Sequence, residues 1–213
     1  MNDTFSVMLV DDHAVVRAGY RLLLSQTPQL EVTCEASTGE EACEKYLTHR
    51  PHVVVMDLNL PGIGGLAAIR RIRARDPAAR ILVFSIHDEP VYVARAREAG
   101  AMGYISKSCA PDRLVSAVVS IAHGQPFIEP AIAERLAQQS APSTPILMER
   151  LTAREFDVLR LLARGHSSRD IAESLKLSVK TVANYVTSIK EKLQVTTTAE
   201  LVRLAFQTGL CSD

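Results

Sequence analysis

No apolar stretch in this chain approaches the roughly 20 residues that a membrane helix needs, so a spanning segment is not expected. The start, Met1-Asn2-Asp3-Thr4, has no positive region and leads straight into a strand-like run, which argues against a signal peptide. Only four cysteines occur, Cys34, Cys43, Cys109 and Cys211, scattered and without a C-x-x-C pair. That pattern excludes a disulfide framework and predicts free thiols in a reducing cytoplasm. Net charge is also lacking, at +0, so overall electrostatics favour no class of partner. From Ile146 onward ten Lys and Arg face eight Asp and Glu, a surplus of only two. Alone, that asymmetry is too weak to indicate nucleic acid.

The chain does have 47% hydrophobic and 23% charged residues over 213 positions. This is ordinary for a folded protein of one or two domains, each long enough for its own core.

In the first half, short apolar runs alternate with amphipathic stretches. Strands are expected at 6–10, 31–36, 53–57, 80–85 and 102–106. Helices are expected at about 14–26, 38–49, 64–75, 89–99 and 110–123. Thr38-Gly39-Glu40-Glu41 has the form of a capping box, and Gly100 fits a helix C-terminal cap. Five β-α alternations predict an α/β domain, a five-stranded parallel sheet doubly wound in a flavodoxin-like order.

Polar groups follow the apolar runs. Asp11-Asp12 follows Val7-Met8-Leu9-Val10, and Asp57 follows Val53-Val54-Val55-Met56. Ser85 follows Ile81-Leu82-Val83-Phe84, and Lys107 follows Gly103-Tyr104-Ile105-Ser106. Parallel strands would gather them at one sheet edge, where open α/β sheets place their sites. Three carboxylates crowded together repel, and a divalent cation relieves the repulsion. Mg²⁺ prefers oxygen ligands, with Asp12, Asp57 and the backbone carbonyl of Asn59 the expected set. Asp57 is then the expected nucleophile toward phosphorus. Lys107 would neutralise charge on the transferring group, and Ser85 would bond a phosphoryl oxygen. His13, His49, His52 and His87 show no metal-ligand spacing and read as loop or surface residues.

These residues carry a resemblance. Residues 1–124 resemble a two-component response-regulator receiver domain. The matching text is Asp11-Asp12-His13, Met56-Asp57-Leu58-Asn59-Leu60-Pro61-Gly62, Ser85 and Tyr104-Ile105-Ser106-Lys107. The resemblance implies phosphorylation of Asp57 by a partner histidine kinase. It also implies a switch in which Ser85 moves toward the phosphoryl group and Tyr104 turns inward. The readout surface would be the fourth helix, fifth strand and fifth helix. Ser108 stands where many receivers have proline. Phosphatases of the haloacid-dehalogenase kind also begin with a strand ending in Asp-x-Asp, but here the second position is Asn59.

Residues 125–148 read as a linker containing a short helix that starts at Pro130, with Gln138 to Pro145 of linker composition. Residues 149–213 read as all-helical. Thr152-Ala153-Arg154-Glu155 forms a capping box before Phe156, Leu159 and Leu162, and Gly165 ends that helix. Ser167 opens a second helix, and Ser178 caps a third. In the third, Val179, Val182, Val186, Ile189 and Leu193 form a stripe expected to be buried. A fourth runs from about Thr197 to Thr208 and stops at Gly209.

This segment resembles the LuxR-type helix-turn-helix of the NarL/FixJ subfamily through Leu151-Thr152-Ala153-Arg154-Glu155, Ala163-Arg164-Gly165, Asp170-Ile171-Ala172, Leu177-Ser178 and Lys180-Thr181-Val182. The third helix would lie in the major groove. Ala183 and Thr187 would contact thymine methyls and Asn184 an adenine edge. Lys176, Lys180, Lys190, Lys192 and Arg169 are the expected phosphate contacts, and Thr181 joins the DNA-facing set. Val202, Arg203 and Phe206 are expected on a dimer face of the last helix. The implied protein is a cytoplasmic, Mg²⁺-dependent, phosphorylation-controlled transcription factor, not an enzyme on outside substrates. It would pair on promoter DNA as a homodimer and engage RNA polymerase. The alternative is an interaction module whose receiver docks a partner and whose helical tail binds protein.

Overall fold

A computed structural model describes residues 4–138 and 150–207. It divides into two compact units, Met1–Ala141 and Pro142–Asp213. The linker-like run from Gln139 to Pro145, Gly209 and Cys211 lie outside the described residues.

The first unit runs β1 (Phe5–Val10), α1 (Ala14–Ser25), β2 (Leu30–Ala36), α2 (Gly39–His49), β3 (Val53–Met56), α3 (Gly64–Arg75), β4 (Ile81–Ser85), α4 (Pro90–Glu98), β5 (Gly103–Ser106) and α5 (Pro111–Ala122). Two further elements follow, β6 (Phe127–Ile128) and α6 (Pro130–Gln138). The strands form one parallel sheet in the order β2-β1-β3-β4-β5-β6. The expected doubly wound α/β sheet is present, with six strands rather than five. The extra strand is two residues long and completes the edge of β5 at Gly103 and Tyr104.

Val7–Val10, Val53–Met56 and Ile81–Phe84 are buried throughout. Such runs arise because a parallel sheet is covered on both faces, so hydrophobic residues do not alternate. Leu114, Ala117, Val118 and Ile121 of α5 close one face. Thr38 caps α2 as expected, its hydroxyl accepting from the Glu41 N–H at 3.1 Å. The return half of the box differs: Glu41 accepts from the Ser37 N–H at 2.7 Å, one residue earlier than a capping box requires. Gly100 follows α4 with φ +101°, a conformation open to glycine because it lacks Cβ.

The second unit holds α7 (Ala153–Ala163), α8 (Ser168–Ser174), α9 (Val179–Leu193) and α10 (Thr198–Gln207). Both halves of the capping box form at Thr152 and Glu155, and again at Ser167 and Asp170. Ser178 caps α9 by accepting from the Thr181 N–H at 3.0 Å. The core gathers Phe156, Leu159, Ile171, Val182, Ile189, Leu193, Leu201 and Ala205. Of the expected stripe, Val182, Ile189 and Leu193 are buried and Val186 is half-buried, while Val179 is 51% exposed. It occupies the first turn of α9, where the stripe begins but the packing does not yet cover it. Among the described residues, no helix is long and apolar enough to cross a membrane.

Candidate phosphoacceptor and DNA-binding sites

The sheet builds the first site by running its backbone pairing one residue past the strand ends. The Asp11 N–H donates to the Ala36 carbonyl at 3.1 Å, and the Asp57 N–H to the Val10 carbonyl at 2.9 Å. The Lys107 N–H donates to the Ser85 carbonyl at 2.7 Å. Four residues from four strand ends are thereby fixed along one edge. Gly65, on the first turn of α3, lets that helix start directly against Asp57. A Cβ there would lie 2.1 Å from the Asp57 carbonyl oxygen.

Lys107 ties the edge together. Its ammonium donates to Asp11 Oδ2 at 2.6 Å and to Asp57 Oδ2 at 2.7 Å. The other Asp57 oxygen accepts from the Asn59 N–H at 3.1 Å. Both carboxylates are buried, Asp57 to 3% exposure. Burial pushes the Asp57 carboxyl up from its ordinary value; Lys107 and the Asn59 N–H oppose this, and Asp11 adds to it. For Lys107, burial disfavours the ammonium, but Asp57 and Asp11 together outweigh it and raise its pKa. Lys107 therefore stays charged, leaving two carboxylates for one ammonium.

The Asp12 side chain is 33% exposed, with His13 Nδ1 2.8 Å from Oδ1. Asp11, Asp12 and His13 each place a ligand atom within 4.8 Å of the others. The oxygen-rich donors of this acidic pocket fit Mg²⁺, which takes oxygen ligands. Arg17 borders the pocket, donating to the Asp11 carbonyl at 2.5 Å and pairing with Glu35 at 2.7 Å.

Tyr104 is buried, and its hydroxyl donates to the His87 carbonyl at 2.7 Å, so the ring is already inside. Ser85 Oγ accepts from the His87 N–H at 3.3 Å. His87 lies in the loop after β4, as its loop-or-surface reading allows, but it is only 8% exposed. Its ring stacks on Tyr92 at 4.1 Å, and Nε2 lies 3.2 Å from Asn59 Oδ1.

On α9, Lys180, Ala183, Asn184, Thr187 and Glu191 are exposed, as is Arg169 on α8. Thr181 is half-buried, and its hydroxyl lies 2.7 Å from Ser178 Oγ. Thr187 turns its hydroxyl back to the Ala183 carbonyl at 3.1 Å. Lys190 is half-buried. Lys192 is not a free cation: its ammonium donates to Glu155 Oε2 at 2.6 Å. Ser188 also donates to Glu155, at 2.7 Å. On α10 Phe206 and Arg203 are exposed, while Leu201 and Ala205 are core.

The profile of the response regulator receiver domain matches residues 7–119, and that of bacterial regulatory proteins of the luxR family matches 149–205. The chain belongs to the NarL/FixJ-type response regulators. It is a two-component regulator with a receiver and a LuxR-type DNA-binding domain. The transcriptional activator protein ExaE of Pseudomonas putida is 42% identical over 207 residues, covering 96% of this chain and 97% of the relative. A LuxR-family response regulator structure from Aurantimonas is 46% identical over 64% of this chain and 97% of its own, with TM-score 0.63. The structure of two RcsB dimers bound to two parallel DNAs is 26% identical, covering 97% of this chain and all of that one, with TM-score 0.61. Membership implies a histidine kinase upstream and DNA downstream.

Proposed function

We propose that Asp57 is the phosphoacceptor of this response regulator and that its phosphorylation controls promoter binding by residues 149–213. The observation that carries the reading is the Lys107 ammonium held between Asp11 and Asp57 at neighbouring strand ends. Asp57 Oδ attacks the phosphorus of a kinase phosphohistidine, and the P–N bond breaks as the O–P bond forms. Asp12, Asp57 and the Asn59 carbonyl would hold Mg²⁺, which lowers the charge the phosphoryl oxygens present to the carboxylates. Lys107 exchanges part of its carboxylate pairing for a phosphoryl oxygen, and Ser85 turns its hydroxyl to another. Tyr104 fills the space behind Ser85. The protein carries out no chemistry on outside substrates beyond its own phosphoryl transfer and loss, and its place is the cytoplasm.

Residues 1–124 form the receiver, 125–148 the connection and 149–213 the DNA-binding domain. In the last, α9 enters the major groove. Asn184, Ala183 and Thr187 face base edges, with Thr181 beside them, and Lys180, Lys190 and Arg169 meet phosphates. Lys192 serves α9 packing first. Two copies occupy paired half-sites through the exposed side of α10, and RNA polymerase is the downstream partner.

Intact mass after incubation with acetyl phosphate and Mg²⁺ tests the acceptor. A phosphoryl adduct on wild type and none on Asp57→Asn is expected; equal labelling of both would refute it. DNA affinity should then rise on phosphorylation and fall steeply with salt.

A further inference from the structure

Residues 125–138 lie beyond the span matched by the receiver profile, 7–119, yet they are bound into the first unit. Phe127 and Ile128 extend the sheet beside Gly103 and Tyr104. The Glu129 N–H donates to the Tyr104 carbonyl at 3.1 Å, and the Glu129 carboxylate accepts from the Ser106 N–H at 2.8 Å. Ile132 is fully buried, and α6 packs on α4. Arg135 Nη2 pairs with Asp88 Oδ2 at 2.7 Å. That pair draws the Asp88 carboxyl below its ordinary value.

Asp88 stands in the loop between β4 and α4, directly after His87. Through His87 this loop is joined to Asn59, Ser85, Tyr104 and Tyr92. One short loop therefore touches the surroundings of Asp57 on one side and α6 on the other.

We propose that α6 is a strap on the receiver, clamped over α4 by the Asp88–Arg135 pair and loosened when Asp57 is phosphorylated. The inference rests on the reading of Asp57 above. A phosphoryl oxygen there would accept from the Ser85 O–H, a strong charge-assisted bond, and turning Oγ toward it carries the oxygen away from the His87 N–H, which it holds at only 3.3 Å. The His87 N–H then loses its acceptor, and the loop that carries Asp88 is released from Ser85. The clamp suits a switch. Both its side chains are about 40% exposed, so the pair is weak; a fully buried pair would lock the strap. α6 is the last described element before the second unit begins in sequence, so its release changes how that unit is tethered.

Hydrogen exchange of the full chain, with and without Mg²⁺ and beryllofluoride as the phosphoryl mimic, tests this. In wild type the mimic should speed exchange across 130–138 by about two- to fivefold while slowing it around 55–60. Arg135→Ala should exchange fast across 130–138 without the mimic. Exchanging the charges, Asp88→Arg with Arg135→Asp, should restore slow exchange. Protection at 55–60 with no change at 130–138 would overturn the strap and leave the Asp57 reading standing. No response in either region would overturn both. Unaltered exchange in Arg135→Ala would remove the clamp from the account.

Discussion

Glu155→Gln is the substitution that most directly probes how the recognition helix is held. Glu155 is buried, yet it accepts from the Thr152 N–H at 2.8 Å, from Ser188 at 2.7 Å and from Lys192 at 2.6 Å. One carboxylate thus closes the N-terminus of α7 and anchors two successive turns of α9. Burial pushes its pKa up, but Lys192, Thr152 and Ser188 together outweigh burial and hold it below the ordinary 4.5. Glutamine keeps the volume and one acceptor but removes the charge. Losing charge-assisted bonds of this kind costs about 1.5–3 kcal/mol. The larger penalty for breaking a wholly buried pair does not apply, since Lys192 retains access to water. The expected loss is therefore about 2 kcal/mol for the second unit at pH 7.

Urea unfolding of the full chain, followed by hydrogen exchange in α7 and α9, would separate this unit from the receiver. The pH dependence supplies an independent check. A carboxyl with a depressed folded pKa contributes stability that is full above 4.5 and lost as pH falls through the folded value. Glutamine has no such increment, so wild type and variant should converge on acidification. A difference under about 0.5 kcal/mol at pH 7, or one that stays constant into acid, would refute the assigned role.

Three other substitutions test separate parts of the molecule. Lys107→Met leaves Asp11 and Asp57 facing each other without their cation, so urea unfolding should show a loss of about 3 kcal/mol at pH 7. Burial already raises the Asp57 pKa and Lys107 opposes this, so without Lys107 it would rise further; stability should then recover as pH falls, and added Mg²⁺ should restore part of it. Gly65→Ala sets a Cβ against Asp57 and Leu58 backbone; it should cost about 1–3 kcal/mol and slow acetyl phosphate labelling followed by intact mass. Gln194, at the end of α9, has φ +56°, and Gln194→Gly should stabilise the second unit by about 0.5–1 kcal/mol in thermal unfolding.

Much of the receiver was readable in the chain because its central strands are buried on both faces. Continuous apolar runs marked β1, β3, β4 and β5, and each ended at a residue of the site. What escaped depends on partners distant in sequence. The strand Phe127–Ile128 is too short for any periodicity and exists because β5 offers an unpaired edge. His87 reads as a loop or surface residue, but its burial comes from Tyr92 and Asn59, the latter 28 positions away. Helical spacing placed Val179 on the correct stripe; spacing cannot say how far along a helix its neighbours reach. Lys192 is expected at phosphate, and its bond to Glu155, 37 residues upstream, is not legible from spacing. That pairing bears on DNA recognition. With Lys192 engaged in packing, the exposed bases Arg169, Lys176 and Lys180 cluster at α8, the α8–α9 turn and the first turn of α9. In the proposed docking, a phosphate strand gripped there would bring the N-terminal half of α9, with Ala183 and Asn184, toward the base edges. In the C-terminal half, Ser188 and Lys192 hold the helix to α7 through Glu155.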